Sequence, residues 1–317
     1  MNNRTSDLLN SLSESATIAM AKMARELKAS GIDVISLSLG EPDFDTPESL
    51  KQAGIDAINA NDTHYTPVAG TVRVREAISK KFKRDNGLDY APDQIVVSNG
   101  AKQSIANVVL SIVNPGDEVI LPAPYWVSYA EIVKLAKGVP VVLPTSIYDD
   151  YKIKPEALAA AINEKTRMVI YSSPCNPSGS VYTLEETQTI AEVLLQNDNI
   201  ITISDEIYEL INFTPKHASL AGIPGMMDRV VTVNGVSKGF AMTGWRLGYI
   251  GATKWIAAAC NKIQGQITSA PCSIAQAAAA AAVDADPSIA NEMLEAFLRR
   301  RDQMLADLDG IPGIKLN

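Results

Sequence analysis

Between residues 92 and 250 the sequence alternates short β-branched runs with helical stretches, and nothing else in it constrains the fold as strongly. Residues 94–98, 118–121, 139–143, 168–172, 200–204, 229–233 and 247–251 are expected strands. Residues 102–113, 126–136, 155–162 and 184–196 are expected helices between them. Parallel neighbours need a crossover connection, so this rhythm predicts an α/β domain with a largely parallel sheet. In such sheets ligands gather beyond the carboxyl ends of the strands, which directs attention to the loops that follow them.

Upstream, residues 15–30 carry Ile18, Met23 and Leu27 at helical spacing, and Gly31 suits the left-handed position past the helix end. A further strand is expected over 34–39, running into the turn Gly40-Glu41-Pro42-Asp43-Phe44. Downstream, residues 254–283 read as one alanine-rich helix, punctuated by Asp284-Ala285-Asp286-Pro287 and followed by an amphipathic helix over 288–308. The 317 residues carry a net charge of −8, which excludes nucleic acid or an anionic membrane as the natural partner. No apolar run follows the opening Met-Asn-Asn-Arg, and the apolar stretch 274–283 is far short of the roughly 20 residues of a membrane span. Three widely spaced cysteines form no disulfide or metal pattern, so a reduced, cytoplasmic protein is expected. Only two histidines, His64 and His217, are present, and no metal site is expected.

The segment from Val233 to Gly248 follows a strand and is rich in small residues. Within it, Gly235-Val236-Ser237-Lys238-Gly239 matches the nucleophile elbow of serine hydrolases. That chemistry needs a histidine after the serine, and none follows His217. An isolated lysine in a turn is ordinarily a solvated surface group, but Lys238 keeps specific company. Arg246 is suited to clamp a phosphate bidentately. Asp205 and Tyr208 sit just past one expected strand, and Asn176 just past another. Gly100-Ala101-Lys102 opens a helix whose free N–H groups suit a phosphate. Each has an ordinary alternative, since Asp caps helices, Asn forms turns and Trp126 or Tyr65 packs in loops. Those alternatives predict no coordinated set.

The chain resembles the class I, fold-type-I aminotransferases that depend on pyridoxal phosphate (PLP), and among them the bacterial aspartate aminotransferase subgroup. Six stretches carry the resemblance in family order: Gly40-Glu41-Pro42-Asp43-Phe44-Asp45-Thr46-Pro47, Tyr65-Thr66-Pro67-Val68-Ala69-Gly70, Pro124-Tyr125-Trp126-Val127-Ser128-Tyr129, Asn176-Pro177-Ser178-Gly179, Ser204-Asp205-Glu206-Ile207-Tyr208, and Ser237-Lys238 through Arg246. The resemblance implies a three-layer large domain on a seven-stranded, mostly parallel sheet over 41–285. It also implies a small domain built from 1–40 and from 286–317, present only in part, with a further C-terminal segment supplying the arginine that clamps the α-carboxylate. Lys238 is implied to hold PLP as an internal aldimine and to shuttle protons. Asp205 is implied to keep the pyridine nitrogen protonated, and Tyr208 and Asn176 to bond the cofactor's phenolate oxygen. Gly100, Ala101, Lys102, Ser237 and Arg246 are implied to hold its phosphate, with Trp126 stacked on its ring. Tyr65 is implied to reach the phosphate of a neighbouring subunit in a homodimer.

For the substrate, the resemblance implies that Gly40, Asn176 and Trp126 meet the amino acid, while Lys102, Ser15 and Thr17 recognise a distal carboxylate. A lysine in the first turn of a helix opposes the helix dipole, which is a modest sign of purpose. Transamination between aspartate and 2-oxoglutarate is the expected reaction. Aromatic or prephenate transamination, a β-lyase or cyclase on the same scaffold, and a truncated form that binds PLP without turnover or only dimerises stand as alternatives. A nicotinamide dehydrogenase is disfavoured, because no G-x-G-x-x-G follows a strand.

Overall fold

The β-branched runs pair into one seven-stranded sheet in the computed structural model, which describes residues 4–37 and 40–317. The strands are β1 (Ile95–Ser98), β2 (Glu118–Ala123), β3 (Val139–Pro144), β4 (Thr166–Ser172), β5 (Ile201–Asp205), β6 (Val230–Gly235) and β7 (Gly248–Gly251). Their order across the sheet is β1-β7-β6-β5-β4-β2-β3. Only β7 runs against its neighbours, antiparallel to both β1 and β6. Each strand begins and ends within about two residues of its expected bounds, because Val, Ile and Thr fit the pleated surface and turn residues delimit the runs.

The helices are α1 (Asp7–Ser11), α2 (Ala16–Ala29), α3 (Glu48–Asn59), α4 (Val72–Lys81), α5 (Ala101–Ile112), α6 (Ser128–Leu135), α7 (Pro155–Ala161), α8 (Leu184–Leu195), α9 (Lys254–Ile267), α10 (Ser273–Asp284) and α11 (Asn291–Leu308). They cover both faces of the sheet. Val96, Leu121, Ile170, Ile203, Val233 and Ile250 point toward Ile105, Val109, Ile132 and Ile256 of α5, α6 and α9. Their strand neighbours Val97, Ile120, Tyr171 and Tyr249 face the opposite core, with Leu50, Ile78, Leu158, Ile190 and Ala279 of α3, α4, α7, α8 and α10. Sheet residues alternate faces, so burial on both sides explains why the strands read as continuous apolar runs. The result is three layers.

Two sequence expectations are corrected. The long helix expected over 254–283 breaks into α9 and α10 at residues 268–272. Pro271 cannot donate a backbone hydrogen bond and clashes with a preceding helical turn, and Ser269 turns the chain with φ +59°. The buried Gln276 Nε2 then donates to Pro271 O at 2.8 Å, fixing the break. The strand expected over 34–39 is irregular across 34–37, where Ile35 and Leu37 are exposed and, among the described residues, join no strand of the sheet. Ser38 and Leu39 lie outside the described residues. Helices α3 and α4 were not expected from the sequence. No helix among the described residues is long and apolar enough to cross a membrane.

Candidate active site

Strand register decides which loops meet. Gly248, the first residue of β7, is paired with Ser98 at the end of β1 and with Gly235 at the end of β6. Asp205, the last residue of β5, is paired with Ser172 at the end of β4 and with Val233. The carboxyl ends of four parallel strands therefore lie level with the amino end of the reversed one. Loops leaving β1, β4, β5 and β6 and the loop entering β7 all open on that edge.

Asp205 is 4% exposed and accepts the Tyr129 hydroxyl (2.7 Å) and the Ile207 N–H (3.2 Å). It forms no salt bridge among the described residues. Burial pushes its carboxyl up to about 6, with the neighbouring Glu206 adding to the rise, while the two donors and Lys238 oppose it. A buried carboxylate with neutral donors only is matched by a cationic N–H group. Tyr208 lies one turn on, and its hydroxyl takes the Asn176 Nδ2 donor at 3.4 Å, so two residues from different crossovers meet. Burial pushes the Tyr208 phenol up to about 12.

Lys238 follows β6 by three residues, is half-buried, and donates from Nζ to Gly40 O at 2.5 Å. Its ammonium lies 5.8 Å from the Tyr208 ring centroid. Burial lowers its pKa, Arg246 adds to the lowering, and Glu41 and Asp205 oppose it. A lysine that gives up its proton more readily is more often the neutral amine, the form that acts as nucleophile and base.

Arg246 precedes β7 and arches over Gly100, the N-cap of α5. A Cβ on Gly100 would come 2.6 Å from Arg246 Nη2, and the residue's φ of +84° suits glycine in any case. Ala101 and Lys102 open the helix ahead of Gln103 and Ser104, whose N–H groups are the first to bond back to Gly100 O. Free N–H groups, a helix dipole and a guanidinium thus converge on one anion-sized cradle. Ser237, 7% exposed, lies beside Lys238 on the same loop. Even tighter is Gly248, where a Cβ would run into the backbone nitrogen of Ala101.

Trp126 meets Tyr129 edge to face, centroids 5.5 Å apart, which places its ring beside the residue that bonds Asp205. Lys102 Nζ sits 5.0 Å above the Trp126 ring, its pKa lowered by burial and by Arg246. The other three residues are not drawn into this cluster. Tyr65 is fully exposed. Ser15 occupies the N-cap of α2 without a side-chain cap bond, and Thr17 is half-buried. No hydrogen bond joins either to Lys102 among the described residues.

Sequence reasoning missed Tyr129 as Asp205's donor, although it lies one helical turn from Trp126 in a stretch already singled out. It also missed Gly248, whose small size lets β7 and α5 touch.

A three-layer sheet with this cluster at its carboxyl edge is the architecture of the fold-type-I aminotransferases. It superimposes on the aspartate aminotransferase from Rhizobium meliloti with a TM-score of 0.95, at 40% identity over 98% of this chain and 78% of that one. The aspartate aminotransferase from Thermus thermophilus with maleate gives 0.93, at 38% identity over 96% of this chain and 80% of that one. The profile of the aminotransferase class I and II family matches residues 32–316, and the chain belongs to that family. A Petunia hybrida bifunctional aspartate aminotransferase and glutamate/aspartate-prephenate aminotransferase is 50% identical over 98% of this chain. An aspartate/prephenate aminotransferase from Nitrosomonas europaea is 47% identical over 98% of this chain and 79% of its own length. The chain spans 65% of the Petunia protein and 63% of an aspartate aminotransferase from Pinus pinaster.

Proposed function

We propose that this chain carries the PLP site of an aminotransferase that moves an amino group between aspartate and 2-oxoglutarate. The observation that carries the reading is the convergence of Lys238, Asp205, the Asn176–Tyr208 pair and the Arg246–Gly100 cradle on one sheet edge. These residues fit the cofactor group by group. Asp205 offers its buried carboxylate to a ring N–H, Asn176 and Tyr208 offer donors to a phenolate, and the cradle takes a phosphate. Trp126 provides a flat apolar face for the ring.

PLP bound there supplies an electron-withdrawing ring to the substrate's amino group. The protein's part is positional and electrostatic. With PLP held there, Asp205 would keep the ring nitrogen protonated, Lys238 Nζ would take the proton from the substrate α-carbon and deliver it two bonds away, across the intervening nitrogen, and Tyr208 would steady the phenolate. The backbone at Gly40 and the side chain of Asn176 border the place of the α-carboxylate. Lys102, whose ammonium lies over Trp126, is the cation suited to a distal carboxylate. Relatives named for aspartate and prephenate support a dicarboxylate substrate. The full exposure of Tyr65 fits a residue that serves a second copy in a homodimer.

The test is spectroscopic and catalytic. PLP added to the protein should give the near-visible band of a lysine-linked cofactor, and Lys238→Ala should lose it. A protein that stays colourless, or a variant that keeps the band, refutes the site. Aspartate with 2-oxoglutarate should then yield oxaloacetate; release of ammonia without it points to lyase chemistry instead.

A further inference from the structure

Immediately behind the turn that carries Asp205 and Tyr208 lies a second set of buried charges that the proposed chemistry does not use. Glu206 is 0% exposed. Its Oε1 accepts from the hydroxyls of Ser204 (2.9 Å) and Ser219 (2.7 Å), and its Oε2 faces His217 Nε2 at 2.8 Å. Glu209, one turn on, pairs with the buried Lys81 and accepts Asn86 Nδ2 at 2.8 Å. Glu206, Glu209 and His217 bring three potential metal-binding atoms within 4.8 Å of one another, but Lys81, Asn86 and the two serines already satisfy the carboxylates.

The backbone ties this set to the site. The Glu206 N–H continues the sheet ladder to Val233 O at 2.8 Å, Glu209 N–H bonds Glu206 O at 2.9 Å, and Ile211 N–H bonds Tyr208 O at 2.8 Å. Glu206 and Asp205 are adjacent buried carboxylates pointing to opposite faces of the strand end. Two such charges side by side repel, and Glu206 raises Asp205's hold on a proton. His217 is placed to cancel one of them. The elements around it present Glu206, Glu209 and Lys81 to its ring, with Asp85 behind Lys81 and the hydroxyls of Tyr171 and Tyr90 on the Glu206 side. Burial alone would strip the imidazole of its proton, yet Glu206 and Glu209 together raise its pKa above the ordinary value against the opposing charge of Lys81. Its Nε2 faces Glu206 in either state, so the proton is gained or lost at Nδ1, which has no partner among the described residues.

We propose that the Glu206–His217 pair is the positioning device of the Asp205–Tyr208 turn, anchoring the backbone between these two residues and cancelling the charge of the carboxylate next to Asp205. The inference rests on the proposed PLP site, since it assigns the pair a purpose there. Without the imidazolium, Asp205 faces an uncompensated neighbour, stays protonated to higher pH and holds a cationic ring nitrogen less well.

The experiment measures the affinity of the cofactor-free protein for PLP across pH by quenching of tryptophan fluorescence. His217→Gln keeps a hydrogen bond to Glu206 but removes the charge. It should move the acid limb of the affinity profile up by roughly one pH unit, weakening binding about tenfold on the limb. The double variant Glu206→Gln/His217→Gln removes both charges and should bring the limb back toward that of the unaltered protein. A limb that does not move in His217→Gln, or a double variant no closer to the unaltered protein than the single one, overturns the proposal. The second outcome would mark a purely structural clamp. Should His217→Gln fail to fold, the unaltered protein still decides the matter by histidine side-chain NMR, with His64→Gln assigning the two signals. His217 should keep its proton above the ordinary imidazole range and its signal should shift when PLP binds; a neutral ring at pH 7, or a signal indifferent to PLP, overturns the pair. If the unaltered protein binds no PLP, the proposed function fails, while the titration still tests the charge cancellation.

Discussion

Replacing Asp205 with asparagine should make the cofactor-free protein more stable, and more so the higher the pH. Burial lifts the Asp205 carboxyl from its ordinary 3.8 to about 6. The folded state therefore binds this proton more tightly than the unfolded chain does, and raising the pH from about 4 to above 6 progressively destabilises the fold. Fully developed, at pH 8, the penalty is about 3 kcal/mol, and about half of it is already present at pH 5. The asparagine side chain carries no charge and escapes this cost. It must turn its amide nitrogen toward either Tyr129 or Ile207, which forfeits about 1 kcal/mol of hydrogen bonding at every pH, although the Tyr129 hydroxyl can rotate to accept. Urea unfolding of both cofactor-free proteins at pH 5 and pH 8 isolates the effect, because every other titrating group is common to the two. The stability difference should shift in the variant's favour by about 1.5 kcal/mol between those pH values. With PLP bound the order should invert, since the ring nitrogen then needs the carboxylate. A difference that is constant with pH, or that moves against the variant on the alkaline side, would show that Asp205 is not a strained buried anion.

Tyr129→Phe removes the hydroxyl that meets Asp205 while keeping the ring against Trp126. It should cost about 1.5–3 kcal/mol above pH 6 and much less below, where Asp205 is neutral, as read by the same unfolding titration. Gly248→Ala drives a Cβ into the backbone of Ala101 and should destabilise by about 3 kcal/mol or more, seen as a large fall in the unfolding midpoint. In Gly100→Ala the nearest atoms belong to the flexible end of Arg246, so the folding cost of about 1–3 kcal/mol should come from a positive φ with extended ψ that only glycine adopts readily. PLP affinity, measured by fluorescence quenching, should fall disproportionately because the guanidinium is displaced.

The strands were legible because each is a short apolar run closed by turn residues, and in all but the partly exposed edge strand β3 both faces are buried, so local pattern and tertiary demand agree. Helix α3 hid because Ile55 and Ile58 are exposed and leave only a faint apolar stripe for the core. The break between α9 and α10 was masked by alanines of high helix propensity on one side of Pro271, although the proline itself was visible. At the site, Lys238, Asp205, Asn176, Tyr208 and Arg246 could be gathered from the order of their motifs. Their partners could not, because pairings such as Tyr129 with Asp205, 76 residues apart, or His217 with Glu206 depend on strand order and on how a loop folds back. Tyr65 shows the opposite limit: one chain presents it to solvent and offers it no partner in the cluster.

The reversal of β7 reaches further than topology. Because β6 leaves the site edge and β7 returns from it, a single loop delivers both the amine of Lys238 and the guanidinium of Arg246. The span between them works as a ruler whose length is counted in residues of one hairpin connection, while Asp205 and Asn176 arrive on separate crossovers. An insertion in the surface turn between α8 and β5 leaves that ruler untouched, whereas one between Lys238 and Arg246 resets it. In the proposed site, selection for a ligand whose reactive carbon and anionic tail stand a fixed distance apart is thereby written into the contour of one short piece of chain.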